Sequence, residues 1–154
     1  MLSSRLGVNM VHVHARDSIT GKPSYEKSLY AKIIAGIWEK ISDIVICVTT
    51  SGRNFSDFDH RTECLDIKGD LKPDFGSLTL SSLNFSRQAS VNSPDMIQSI
   101  AQKMLDLGIK PELEVFDMGM INYAHYLISK GLIKPPYYFN IILGNIASAQ
   151  ADTF

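Results

Sequence analysis

Short runs of apolar residues alternate along this chain with longer segments in which apolar residues recur every three or four positions. Runs typical of strands begin near Val8, Ile44, Phe75, Glu112 and Tyr138. Each of the first four is followed by a segment with helical spacing. Because a helix after each strand returns the chain to the start of the next strand, this order favours parallel pairing. The pattern therefore predicts an α/β fold built on a parallel sheet.

The helical segments carry an apolar face and recognisable ends. The first has an apolar residue at every fourth position from Leu29 to Ile41, which indicates one face packed against a sheet. A second helix is predicted after Ser93, with Pro94 in its first turn and Gly108 at its end. These three features predict a helix over residues 94–107.

Two further helices are predicted from weaker signals. One covers residues 122–130, and the glycine that follows, Gly131, marks its end. The other covers residues 55–67, where aspartate, histidine and threonine are only modest helix formers.

Polar residues alternate with apolar ones inside the predicted strands at 77–81 and 112–115. Helices cover the outer face of a parallel sheet, so the polar residues must face inward. Unpaired charges in a dry interior are costly, so a polar interior of this kind normally holds a ligand or a metal. The pattern favours the interior of a barrel near its active end. The polar residues expected there are His12, His14, Ser77, Thr79, Glu112, Glu114 and Asn140.

Two histidines, His12 and His14, lie two positions apart in the strand-like run at residues 11–14. Alternate side chains of a strand share a face and are separated by about 6.6 Å along it. One metal ion can therefore bind both imidazoles at the end of a strand. The residues alone give equal weight to two partly buried histidines bonded to their neighbours.

Composition narrows the class of protein. The chain has 154 residues, 45% of them hydrophobic, which suits a single domain over residues 1–154. A net charge of −1, without a basic cluster interleaved with aromatics, argues against nucleic-acid binding. No apolar stretch reaches the roughly 18 residues of a membrane span. Cys47 and Cys64 are too few for a disulfide framework and predict buried free thiols, so we expect a soluble, cytoplasmic protein.

Five motifs together resemble the β-keto acid cleavage enzyme family, and the resemblance covers nearly the whole chain. The motifs are His-Val-His-Ala-Arg-Asp (12–17) with Gly-Lys-Pro-Ser (21–24), Val-Thr-Thr-Ser-Gly (48–52), Ser-Leu-Thr-Leu-Ser-Ser-Leu-Asn-Phe (77–85), Pro-Glu-Leu-Glu-Val-Phe-Asp (111–117) and Leu-Gly-Asn (143–145). Each motif lies at the end of a predicted strand and follows the family's order.

The resemblance implies a zinc-dependent parallel (β/α)8 TIM barrel. Such an enzyme converts a β-keto acid and acetyl-CoA into acetoacetate and the CoA ester of the remaining acyl group. The family's histidine ligands correspond to His12 and His14. A glutamate on the family's last strand completes the ligands and has no counterpart in this sequence, which corresponds to about strands 2 to 6 of the barrel. A whole barrel takes about 250 residues, so we expect impaired activity from this chain alone.

The resemblance also implies roles for residues near the predicted strand ends. Glu114 corresponds to an inward glutamate that orients ligands or moves a proton, which makes it the candidate catalytic residue. Ser77 corresponds to a hydroxyl facing the substrate, although a hydrogen-bonded core serine explains the residue equally well. The segment implied to receive the substrate carboxylate is Thr49, Thr50, Ser51 and Gly52. Outside this context, Thr-Ser-Gly is more often a turn.

Three functions remain open from the sequence. The chain is part of a β-keto acid cleavage enzyme, a non-catalytic truncated barrel that acts through interactions, or a metal-dependent hydrolase on the same barrel. The first implies a β-keto acid and acetyl-CoA as small-molecule partners and a homo-oligomer, in the family usually a tetramer. Dependence of turnover on acetyl-CoA separates the first function from the third.

Overall fold

The computed structural model describes residues 6–144, which form alternating strands and helices. The strands are β1 (Met10–Val13), β2 (Val45–Val48), β3 (Phe75–Thr79), β4 (Leu83–Asn84), β5 (Ala89–Ser90), β6 (Lys110–Val115) and β7 (Tyr138–Ile141). The α-helices are α1 (Lys27–Trp38), α2 (Phe58–Thr62), α3 (Pro94–Leu107) and α4 (Met118–Ser129). Two short 3-10 helices cover Glu63–Asp66 and Gly69–Leu71.

Five of the strands form one parallel sheet in the order β1, β2, β3, β6, β7, while β4 and β5 form a small antiparallel hairpin. Within the large sheet, each strand therefore lies beside the strand of the same sheet that follows it in the sequence. A doubly wound sheet would reverse its strand order at a switch point, whereas a β/α barrel keeps this sequential order. The sheet confirms the predicted α/β class with parallel strands and matches part of a barrel wall.

Helix α3 has the ends that its sequence predicts. The Ser93 hydroxyl accepts a hydrogen bond from the Met96 amide at 3.2 Å, and Pro94 occupies the first turn. Gly108 ends the helix with a φ of 64°, a left-handed conformation that favours glycine. These contacts satisfy backbone groups that a helix end would otherwise leave unpaired.

Two helices differ from their predicted bounds. Helix α4 begins at Met118, four residues before the predicted start, because the Asp117 carboxylate accepts a hydrogen bond from the Met120 amide at 2.9 Å. The segment predicted as one helix over residues 55–67 forms the short α2 followed by a 3-10 helix. Its weak helix formers and local side-chain bonds explain the break.

The outer face of the sheet packs against the helices and forms the core. Ile46, Leu78 and Leu113 on this face are at most 1% exposed. A Cβ atom on Gly76 would lie 2.5 Å from Met104 Cε, so glycine permits the close approach of α3 to β3. The opposite face of the sheet is left to the polar residues.

No helix within residues 6–144 is long and apolar enough to cross a lipid bilayer. The longest of them, α3, has 14 residues.

Candidate metal centre and substrate cavity

The strand register brings the polar strand residues onto one face of the sheet. Side chains that are aligned across parallel strands point to the same face. The register aligns His12 with Cys47, Ser77 with Glu112, and both Thr79 and Asn140 with Glu114. The polar alternation in the sequence therefore becomes a polar interior.

Glu112 is the centre of a buried hydrogen-bond network on this face. Its Oε2 atom accepts from His12 Nδ1 at 2.8 Å and from the Cys47 thiol at 3.1 Å, while its Oε1 atom accepts from Asn140 at 3.0 Å. Burial raises the pKa of Glu112, but the hydrogen bond and charge of His12 outweigh burial and hold the pKa below its usual value. Burial and the negative charge of Glu112 raise the pKa of Cys47 far above the ordinary range, so this thiol stays protonated and donates.

His12 has one ring nitrogen engaged and one free. Glu112 holds Nδ1, whereas Nε2 is buried and has no hydrogen-bond partner among residues 6–144. An unpaired buried polar atom is costly, and native structures rarely contain one. A histidine that donates one N–H to a carboxylate and directs its other nitrogen at a metal is a recurrent arrangement in metalloproteins. His12 therefore fits the role of a metal ligand.

His14 lies against His12, closer to the mouth of the interior. The two rings are stacked, with centroids 4.7 Å apart and planes inclined by 8°. Partial burial, then the positive charges of His12, Arg53 and Arg16, lower the pKa of His14 to about 4. His14 is therefore neutral near pH 7, the form that binds metals. Burial lowers the pKa of His12, but the hydrogen bond and charge of Glu112 raise it more, so the pKa of His12 lies above its ordinary value. A metal ion that binds His12 must displace its proton, so metal binding should strengthen as the pH rises.

A second grouping of potential ligand atoms involves His12, Cys47 and Glu112, whose donor atoms lie within 4.8 Å of one another. The hydrogen bonds from His12 and Cys47 to Glu112 already explain this grouping without an ion. His14 does not belong to it. Sequence reasoning identified Cys47 only as a buried thiol, although its spacing of two from Thr49, just after β2, was a signal for the inward face.

The hydroxyl side chains of the segment after β2 lie in two different environments. Thr49 and Ser51 line the interior cavities. Thr50 is bonded to Ser77 instead, since its amide donates to Ser77 Oγ at 3.1 Å and its hydroxyl donates to the Ser77 carbonyl at 2.6 Å. The structure thus places Thr49 and Ser51 at the cavity, and it places Thr50 and Ser77 in a buried link between strands.

Arg61 supports this segment from behind and was missed by sequence reasoning. The residue is 2% exposed, and its guanidinium donates to Thr50 O at 2.9 Å, Val91 O at 3.2 Å and Asn92 Oδ1 at 2.6 Å. A Cβ on Gly52 would lie 2.9 Å from Arg61 Nη1 and 2.7 Å from Val91 O, so the segment needs glycine there. Within residues 6–144 no carboxylate pairs with Arg61, and a positive charge is left behind Thr49 and Ser51.

Glu114 lies on the same cavity wall, with its Oε2 atom accepting a hydrogen bond from the Thr79 hydroxyl at 2.5 Å. Burial raises the pKa of Glu114, and the Thr79 hydrogen bond only partly opposes this effect. A buried carboxyl with a raised pKa beside a cavity is suited to proton transfer.

Two adjoining cavities open on this face. One, of about 340 Å³, lies between His12, Glu114 and Asn140, and the other, of about 320 Å³, lies between Arg16, Tyr25 and Gln88. Both are large enough for a small metabolite. The residues that line both are His14, Thr49, Ser51 and Arg53. Asn145, the last residue of the Leu-Gly-Asn motif, lies outside the described residues.

Curated relatives of this chain are named as enzymes that act on β-keto acids. It is 32% identical over 149 residues to the 3-keto-5-aminohexanoate cleavage enzyme of Fusobacterium nucleatum, covering 96% of this chain and 53% of that protein. It is 32% identical over 138 residues to the 3-oxoadipate:acetyl-CoA acetyltransferase of Cupriavidus necator, covering 90% of this chain and 46% of that protein. The chain thus spans about half the length of these relatives.

A solved structure has the same fold. The ternary complex of ObcA with a C4-CoA adduct and oxalate matches with a TM-score of 0.79 and 21% sequence identity, over 94% of this chain and 35% of that chain. This likeness supports an incomplete barrel. A family model described as beta-keto acid cleavage enzyme matches residues 3–154. The chain belongs to the β-keto acid cleavage enzyme family.

Proposed function

We propose that this chain contributes the metal-binding part of a zinc-dependent β-keto acid cleavage enzyme. The reaction takes a β-keto acid and acetyl-CoA to acetoacetate and the CoA ester of the remaining acyl group. The observation that carries this proposal is the buried, unpartnered Nε2 atom of His12 beside His14 in a cavity. The names of the curated relatives support the reaction class.

His12 and His14 would hold the zinc ion. Glu112 accepts the Nδ1 proton of His12 and so fixes the ring with Nε2 available to a metal. Bound zinc would polarise the keto oxygen and stabilise the negative charge that develops when a proton leaves the neighbouring carbon.

Other residues of the chain would bind the substrate and move its proton. Thr49 and Ser51 receive the carboxylate of the β-keto acid, with the buried charge of Arg61 behind them. Glu114 takes the proton from the carbon next to the keto group, and the Thr79 hydroxyl holds the carboxyl in place. Thr50 and Ser77 act on the substrate only indirectly, because their mutual hydrogen bonds set the position of Thr49 and Ser51.

Several properties belong to the same proposal. A single domain over residues 1–154, a homo-oligomer and a cytoplasmic location fit the family, and both cysteines are free and buried as a reducing compartment allows. Since the chain spans about half of its curated relatives, we propose that its activity alone is impaired.

Zinc binding by the purified chain tests the metal site. We expect about one bound zinc per chain by titration calorimetry, and a loss of affinity of at least about tenfold in His12→Ala and in His14→Ala. His125→Ala, which removes an exposed imidazole from α4, is the matched control and should bind like the parent. Equal zinc affinity in all three variants would contradict the proposal.

Turnover tests the reaction class. Acetoacetate should form only when a β-keto acid and acetyl-CoA are both present, at a low rate for this chain. Consumption of the β-keto acid at the same rate without acetyl-CoA would indicate a hydrolase and overturn the proposed reaction.

A further inference from the structure

Two arginines lack an acidic partner at the cavity of about 320 Å³, which we call the outer cavity. Arg16 and Arg53 both line the cavity of about 320 Å³ beside His14. Within the described part of the chain neither forms an ion pair, although Lys40, Lys103 and His60 each do. The chain as a whole has a net charge of −1. The positive charge at this cavity is therefore a local feature.

The local structure holds both guanidinium groups in place. Arg53 lies over the Phe85 ring, with its central carbon 4.6 Å from the ring centroid, and its Nε donates to Ser51 Oγ at 3.3 Å. Arg16 donates to the Gly21 carbonyl at 2.9 Å, which fixes it against its own loop. Each side chain keeps further N–H donors for a ligand.

We propose that this outer cavity binds an anionic group at the far end of the substrate's acyl chain, so that the preferred substrate is a dicarboxylic β-keto acid. The identity of the substrate as a β-keto acid rests on the function proposed above. Arginine binds carboxylates through two parallel hydrogen bonds, and it repels the ammonium group of a cationic acyl chain. Asn54 and Gln88, which also line the cavity, add polar groups that suit a carboxylate.

The position of the cavity supports an acyl-chain site. It shares His14, Thr49 and Ser51 with the cavity of about 340 Å³ beside His12, so an acyl chain can pass from the metal centre to the arginines. At about 320 Å³ it suits a few carbon atoms with a terminal carboxylate, in the range of small-ligand pockets. The curated relatives act on β-keto acids whose names differ in this part of the molecule.

Three acids of equal carbon number test the proposal by binding to the full 154-residue chain, with and without zinc. We expect 3-oxoadipate to bind at least about tenfold more tightly than 3-oxohexanoate, and 3-keto-5-aminohexanoate to bind most weakly. Arg16→Gln and Arg53→Gln should each remove most of the preference for 3-oxoadipate. Arg16→Lys should keep part of it, and Arg87→Gln, at an exposed arginine lining neither cavity, should leave it unchanged.

The outcomes separate this proposal from the function itself. Equal affinity for the three acids, no binding of any, or an equal loss for 3-oxoadipate and 3-oxohexanoate in the arginine variants would overturn the acyl-chain site. The last result would show that the arginines bind the carboxylate shared by both acids. Zinc binding measured on the same samples reports on the metal centre, so failure of the proposed function appears there. Thermal melting of each variant confirms that it is folded.

Discussion

At the scale of single residues, the sequence points to the groups proposed to carry chemistry but not to those that support them. The spacing of His12 and His14 in a strand is enough to predict that they are neighbours, and their rings stack. Arg61 could not be predicted to be a buried support, because one of its contacts, Asn92, is 31 positions along the chain. Only the folded chain brings these residues together.

Substitution of Arg61 should destabilise the fold. Arg61→Ala removes the donor to the buried Thr50 carbonyl and Asn92 amide oxygen and to the partly buried Val91 carbonyl, which costs about 3 kcal/mol. Arg61→Lys should cost less, since one ammonium can still donate to part of this set. Urea unfolding measures the free energy of both variants. Equal stability of Arg61→Ala and the parent chain would show that these hydrogen bonds do not support the segment.

Gly52 should tolerate no side chain. Gly52→Ala places a Cβ against the Val91 carbonyl and Arg61, so it should destabilise the chain by about 1–3 kcal/mol and weaken substrate binding. Gly36→Ala is the control, since a Cβ there meets open space in the last turn of α1 and should stabilise the helix by about 0.5–1 kcal/mol. Thermal melting measures both, and a fall in stability that is the same at the two positions would contradict the packing argument.

At the scale of elements, the sequence predicts strand positions well and helix starts unevenly. The start of α3 was predictable, because serine and proline form a strong local signal at Ser93 and Pro94. The start of α4 was placed too late, because its cap, Asp117, also belongs to the strand-end motif of residues 111–117. Residues 55–67 lack strong helix formers, so tertiary contacts such as those of Arg61 decide their path.

The capping hydrogen bond of α3 can be measured by substitution. Ser93→Ala removes the acceptor for the Met96 amide and should cost about 1 kcal/mol of folding free energy. Ser99→Ala, at an exposed position inside the same helix, should be neutral or slightly stabilising because alanine is the better helix former. Urea unfolding compares the two, and a loss in Ser99→Ala as large as that in Ser93→Ala would argue against a specific cap.

At the scale of the whole molecule, the sequential parallel sheet has one polar and one apolar face. The alternation of polar and apolar residues was sufficient to predict this division, and the family resemblance supplied the barrel. The described part of the chain leaves apolar side chains exposed on β7, including Phe139 at 36% and Ile141 at 61%. Sequence pattern alone did not predict this exposure, since the pattern does not show which strand lies at the edge of the sheet.

The exposed face of β7 should drive pairing between copies of this chain. Light scattering after size exclusion should give a mass above 17.1 kDa, and Ile141→Lys should shift the population towards that monomer mass. Met118→Lys, at a residue 68% exposed at the start of α4, is the control and should leave the mass unchanged. A monomeric parent chain at high concentration would contradict this expectation.

The most direct measurement of the central claim is X-ray absorption at the zinc edge of the zinc-loaded chain. The proposed centre predicts two imidazole nitrogens at about 2.0–2.1 Å, with oxygen ligands and no sulfur. His12→Ala and His14→Ala should each lose imidazole scattering, whereas Cys47→Ser should leave the spectrum unchanged. A sulfur ligand at about 2.3 Å that disappears in Cys47→Ser would place the metal in the grouping of His12, Cys47 and Glu112 and contradict the account.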